Sequence, residues 1–324
     1  LGRERCPVMS PIHSTTTYRG APVFHFAQAI EATGLTPPDT IHADGQLHRF
    51  SATGKRNDRA GWYVLHADGL AAGVFGCWRT GLTETWCSKA EGTLTQAERD
   101  TMRQRVKAAQ VQRDAVTQQR QQQAQAIATE RWETALPVGQ HAYLMAKGVQ
   151  GYKLRVDGEM LLVPLHDTNG MVHSVQSITP QGHKRFMTGG RVRGCYYGLG
   201  QASSVWVVCE GVATAHSIHE ATNLTLAAAF SASNLMPVAQ ALKQKNPECT
   251  VIIAADDDHL TEGNPGLTAA RAAAMAVGGL VVMPQFPANR PGKATDFNDL
   301  SALAGTGVVH ECFAEVMEGL SHEL

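Results

Sequence analysis

An α/β fold with a parallel sheet covered on both faces is predicted for the C-terminal part of this 324-residue chain. Two observations predict it. Four short runs, 205–209, 225–230, 250–255 and 280–284, are almost continuously apolar, as strands buried on both faces require. Helical stretches at 213–222, 234–245 and 266–277 separate them, so each strand pair is joined by a crossover helix. With 43% apolar and 18% charged residues, the composition supports real hydrophobic cores.

The elements ahead of that sheet are read in order. Residues 1–20 are expected to be a flexible tail. Residues 21–92 read as a small mixed α/β domain: helical spacing over 24–33, a break at Thr36-Pro37-Pro38-Asp39, then strand-like runs at 47–50, 61–66 and 72–75. Those runs predict an antiparallel meander. Trp62, Trp78 and Trp86 fit either core filling or platforms for bases, and core filling is the simpler reading. Residues 93–133 contain a stretch, 95–131, with neither glycine nor proline and few large apolar side chains. They predict one long solvated helical linker, with Arg103, Arg105, Lys107 and Arg113 able to meet nucleic acid. A small α+β subdomain, 134–203, follows. It has a short helix ending on Gly148, a hairpin of 160–165 and 172–178 about Asp167-Thr168-Asn169-Gly170, and a basic segment, 182–193. Residues 204–290 hold the parallel sheet, and 291–324 a C-terminal helical segment.

Charge is uneven although the total is −1. Residues 1–150 carry +4, residues 151–200 carry +3, and residues 201–324 carry −8. A basic front suits a polyanion and an acidic back suits cations. The 7 cysteines are scattered, with no C-x-x-C pair. They read as reduced thiols of a cytoplasmic protein rather than a disulfide framework or zinc ribbon. No apolar run is long enough to span a membrane, so no membrane partner is expected.

The chemistry is expected where ligands bind in open α/β sheets, beyond the carboxyl ends of the strands. The first strand runs into Glu210-Gly211 and the third into Asp256-Asp257-Asp258. In extended chain Asp256 and Asp258 project to one side and Asp257 to the other, so Glu210, Asp256 and Asp258 can converge. Three like charges with nothing basic near them in sequence call for a divalent cation. All-oxygen ligands suit Mg²⁺ or Mn²⁺. The competing reading is a polar turn with a helix-capping aspartate.

These residues carry a resemblance. Residues 205–286 resemble a Toprim domain, whose signatures are Glu-Gly after the first strand and Asp-x-Asp after the third. The resemblance implies a Toprim-type sheet, with Mg²⁺ at Glu210, Asp256 and Asp258 and proton transfer at Glu210. Upstream, Lys184-Arg185-Phe186, Gly190 and Tyr196-Tyr197-Gly198-Leu199 resemble the basic motif ahead of the Toprim unit in DnaG-like primases. Lys184, Arg185, Arg191 and Arg193 are thereby implied to bind nucleotide or nucleic acid. Downstream, Thr295-Asp296-Phe297-Asn298-Asp299-Leu300 resembles a stretch of primases from plasmids, integrative elements and phages. Asp296 there either adds to the metal site or caps a helix. On this resemblance 21–92 is a primase-associated domain and 134–203 the N-terminal subdomain of the core.

The function implied is a DNA primase core that makes short RNA primers on single-stranded DNA from ribonucleoside triphosphates, for a mobile element. No zinc ribbon is visible, so 21–92 is left as the candidate for template recognition. No P-loop motif occurs, so a replicative helicase is expected in trans or from a missing region. A Toprim-type nuclease and a non-catalytic single-stranded-DNA-binding protein are the alternatives.

Overall fold

The computed structural model describes residues 20–201 and 203–323. The predicted tail falls outside these apart from Gly20. The chain divides into two compact units, Leu1–Gln118 and Gln119–Leu324.

In the first unit, helix α1 (Ala21–Ala32) precedes a four-stranded antiparallel sheet of β1 (His48–Phe50), β2 (Gly61–His66), β3 (Ala72–Cys77) and β4 (Thr83–Cys87), in sequential order. Proline at the start of α1 supplies a preset φ. One sheet face buries Tyr63, Leu65 and Phe75 against Phe26 and Ile30 of α1. The other buries Trp62, Val64 and Val74 against Ala109. Ala109 belongs to α2 (Gln96–Thr134), the predicted long helix. Its first part is not a bare linker. Arg105 donates to the Leu70 and Asp68 carbonyls, and Arg113 lies 5.2 Å over the Trp62 ring. Those two cations hold the fold and are spoken for. The tryptophans fill core: Trp62 is buried, and Trp86 packs edge-on against Phe26.

The second unit contains two sheets. β5 (Leu136–Pro137), α3 (Ala142–Lys147), β6 (Arg155–Asp157), β7 (Met160–His166), β8 (Val172–Ile178) and β9 (Lys184–Phe186) give one antiparallel sheet, ordered β5-β6-β7-β8-β9. His141 caps α3 by accepting from the Tyr143 amide, and Gly148 ends it with φ 63°. The expected hairpin is β7 and β8.

The other sheet has the order β10-β12-β11-β13-β14, made of β10 (Tyr197–Leu199), β11 (Val205–Cys209), β12 (Thr225–Ala228), β13 (Thr250–Ala254) and β14 (Leu280–Val282). Four strands are parallel, and β10 adds an antiparallel edge to β12. The crossovers are α4 (Val212–Thr222), α5 (Ala232–Lys245) and α6 (Pro265–Val277). α7 (Phe297–Ala304) and α8 (Thr306–Glu323) close the chain. Alternation along the strands splits the core in two. Val207, Cys209, Ile252 and Ala254 face α4, α7 and α8. Val208, Val251, Ile253 and Ala255 face α5 and α6. Tyr143 of α3 and Leu161, Val163 and Ile178 of the antiparallel sheet join the first of these cores, so the two sheets share one interior.

Candidate active site

The site grows from the ends of β11 and β13. Val208 pairs with Ile253, and continuing that parallel register brings Glu210 level with Ala255, one residue short of Asp256. The Ala255 amide still bonds the Val282 carbonyl, so the sheet holds the backbone up to the first acid.

The three aspartates then divide their work. Asp257 is an anchor. Its carboxylate receives Arg290 Nη1 at 2.5 Å and Asn264 Nδ2 at 2.6 Å, and its carbonyl receives Arg290 Nη2 at 2.7 Å. These donors hold its carboxyl below the usual range against the pull of burial. Asp258 accepts the Gly266 amide at 3.0 Å, at the start of α6, where a carboxylate is favoured. Residue 266 must be glycine for this approach. A Cβ there would stand 2.7 Å from the Asp256 carbonyl oxygen and 3.0 Å from Asp258 Oδ2.

Asp256 is the exception. Its Oδ1 is buried and has no hydrogen-bond partner. Burial, reinforced by the charges of Glu210, Asp296 and Asp258, pushes its carboxyl up to about 8. Glu210 is raised too, by burial and then by Asp258, while the Ala232 amide at the start of α5 pulls it back. Asp257 is thus turned to Arg290 and Asp258 to the Gly266 amide, while burial and like charge raise the carboxyls of Asp256 and Glu210.

Asp296 joins this group from α7. It caps that helix by accepting the Asp299 amide at 2.8 Å, and Thr214 of α4 donates to its other oxygen at 3.0 Å. In return the Thr295 amide donates to Asp299, a reciprocal capping arrangement. Burial raises the Asp296 carboxyl and the Asp299 charge adds to it, opposed by the Asp299 amide, Thr214 and Lys147. Of its two expected roles, capping is the one built here, within reach of the acid cluster's field.

The cation missing from the local sequence arrives from the antiparallel sheet. Lys184, on β9, is exposed as a residue, yet its ammonium end loses enough solvation to be depressed. The opposing pulls come from Asp296 and Asp256. Its Nζ lies 5.5 Å from the Tyr143 ring centre. Phe186, two residues on, packs edge-to-face on Phe230, which sits just past β12 at a left-handed φ of 71°. The Phe230 amide bonds the Glu210 carbonyl at 2.8 Å. A contact chain therefore links the Lys184 strand to the Glu210 strand tip.

Arg185, Arg191 and Arg193 lie elsewhere. Arg185 sits opposite Ser177 at the sheet edge, exposed. Arg191 and Arg193 line a groove of about 440 Å³ with Gln121, Gln240 and Gln244. The loop carrying them is fastened by Asn234 of α5, buried, which accepts the Gly194 amide and donates to the Val192, Cys195 and Ala229 carbonyls. Sequence reasoning missed Asn234. It also missed Asn298, which donates to the Lys147 carbonyl at 2.8 Å and so fixes the end of α3. A buried asparagine inside an apolar helical pattern was the available signal, since it needs partners.

Among the described residues, no three histidine, cysteine, aspartate or glutamate side chains are drawn close enough to enclose a metal ion. The chemistry of the donors nonetheless fits a hard divalent cation. The orphaned Asp256 oxygen is an unmet acceptor, and mutual repulsion among buried acids is what such a charge relieves.

Residues 205–307 match the family model described as the Toprim domain. That segment, about a third of the chain, is similar to the Toprim domain. Two curated relatives, both DNA primase TraC from Escherichia coli, align beyond it. One is 37% identical over 284 residues, covering 82% of this chain and 26% of the relative. The second is 35% identical over 298 residues, covering 86% and 20%. The chain thus spans about a quarter or less of these relatives' length. Among solved structures, the DnaG primase catalytic domain bound to ssDNA is 13% identical, covering 65% of this chain and 85% of that one, with a TM-score of 0.42. The strand-tip acids Glu210, Asp256 and Asp258, and also Asp296, fall inside the Toprim match, while Lys184 lies ahead of it.

Proposed function

We propose that this chain is a primase core, making short RNA primers on single-stranded DNA by nucleotidyl transfer that depends on Mg²⁺ or Mn²⁺. The observation that carries the reading is Asp256. A carboxylate oxygen buried without a partner, among acids that repel it, is costly unless a cation is its purpose. Glu210, Asp256 and Asp258 would hold that cation, with Asp296 beside them. A divalent ion bound there supplies charge neutralisation and a seat for phosphate oxygens.

The chain's own residues do the rest. Lys184 places an ammonium beside the acids, suited to a triphosphate rather than to a second metal. Glu210, raised above the ordinary carboxylate range, is suited to accept the proton of an attacking 3′ hydroxyl. Arg185, Arg191 and Arg193 offer phosphate contacts to the strand. We assign the protein to the cytoplasm and to the replication of a plasmid or related element, with a helicase acting in trans or from a further region. No described helix is long and apolar enough to cross a membrane.

The test is incubation of the chain with single-stranded DNA, ribonucleoside triphosphates and Mg²⁺. Short oligoribonucleotides are expected, and Asp256→Ala should abolish them while binding of DNA persists. Degraded template without new RNA would turn the reading to a nuclease. Binding with neither product would leave a DNA-binding protein.

A further inference from the structure

The first unit holds a cationic groove that none of the chemistry above uses. The segment Arg49-Phe50-Ser51-Ala52-Thr53-Gly54-Lys55-Arg56-Asn57-Asp58-Arg59 joins β1 to β2 and carries 4 basic residues against 1 acid. Its acid is consumed internally. Asp58 Oδ2 accepts the Thr53 amide and hydroxyl, both at 2.9 Å, and Oδ1 accepts the Ala60 amide at 3.0 Å and Arg79 at 2.7 Å. The Asp58 side chain is only 6% exposed. Ser51 and the Asp58 amide both donate to the Lys55 carbonyl, which closes the loop.

The loop is therefore stiff, and three of its four cations are exposed. Lys55, Arg56 and Arg59 are exposed and form no ion pair with an acid among the described residues. Arg49, Arg56, Asn57 and Arg59 line a groove of about 470 Å³. Arg49 also lies 4.6 Å over the Trp78 ring, a half-buried aromatic beside the same loop. Cations held apart on a rigid loop match the spaced phosphates of a phosphodiester backbone. The single-stranded ligand is that of the proposed function, on which this inference rests.

We propose that the Arg49–Arg59 loop is a binding site for single-stranded DNA, separate from the acid cluster. It shares with the primase reading only the ligand class, and its test uses no nucleotides, so either can fail alone. The experiment is fluorescence anisotropy of a labelled single-stranded oligonucleotide with the full chain over a range of salt. Arg56→Glu with Arg59→Glu should weaken binding about 10-fold or more. It should also flatten the dependence of log Kd on log salt by about 1.4, since each phosphate contact on a single strand contributes about 0.7. Arg56→Lys with Arg59→Lys should keep most of the affinity, which separates lost charge from a disturbed loop. Arg99→Glu, an exposed charge on α2, should change little. Equal loss with Arg99→Glu would reduce the effect to net charge and overturn the proposal. So would unchanged binding in the double glutamate variant, equal affinity for duplex, or ready displacement by ATP.

Discussion

At the scale of single residues, Lys184 and Asp256 are the pair on which the proposed chemistry turns; both were singled out in the sequence, Asp256 by its place at a strand end and Lys184 through the primase resemblance. The acids announced themselves because they stand at strand ends, where an apolar run stops abruptly. Lys184 did stand out, within a basic segment, but 72 positions before Asp256 nothing tied it to the acids. That proximity exists because β9 lies at the near edge of its sheet and Phe186 is seated on Phe230. If Lys184 holds triphosphate, Lys184→Met should raise the KM for ribonucleotides at least 10-fold while single-stranded DNA still binds. Steady-state kinetics at varied nucleotide would check it. An effect on DNA affinity alone would move Lys184 from the nucleotide to the template.

At the scale of elements, the parallel strands and their crossovers were legible because burial on both faces leaves a plain sequence pattern. The antiparallel edge strand β10 and the order β10-β12-β11-β13-β14 were not, since three residues of Tyr197–Leu199 carry too little periodicity to fix a neighbour. The long helix was legible from composition, but its packed first part was not. Ala109 is small, and its burial shows only when Trp62 and Val74 are in place. Polar fastenings were the hardest to foresee. Asn234 joins α5 to the loop at 192–195 through three hydrogen bonds and to the Ala229 carbonyl through a fourth, so Asn234→Ala leaves several buried groups unpaired. A loss of about 2–4 kcal/mol is expected by denaturant titration, at roughly 1 kcal/mol or more per lost bond. Retained stability would mean that water replaces the amide.

At the scale of the whole molecule, two buried groups pull stability in opposite directions with pH. His216 is fully buried, with Gln150 O and Tyr197 Oη as partners, and burial lowers it from 6.5 to about 4. The unfolded chain therefore binds more protons in that window, and His216 favours folding more as pH rises from about 4 to 6.5. Asp256 is raised from 3.8 to about 8, so the folded chain binds more protons there, and stability falls as pH rises across that range. The two largely offset each other below pH 6.5. Above it only Asp256 remains, and the metal-free protein should lose stability between about pH 6.5 and 8. Thermal melts with EDTA and with Mg²⁺ would show this. Mg²⁺ should raise the Tm more at pH 8 than at pH 6, and Asp256→Asn should remove both the pH slope and the difference. A Tm indifferent to Mg²⁺ at pH 8 would count against a cation at this carboxylate.

The pinning of Asp257 has a consequence for how such a centre can be damaged. Because Arg290 grips both the side chain and the carbonyl of the middle aspartate, the aim of its two neighbours is set by a residue that touches neither of their carboxylates. Losing that grip, as in Arg290→Met, would leave every acid present but misdirected. Such a protein would look complete by inspection of its acidic residues, and would fail for want of a hinge pin more than thirty positions away.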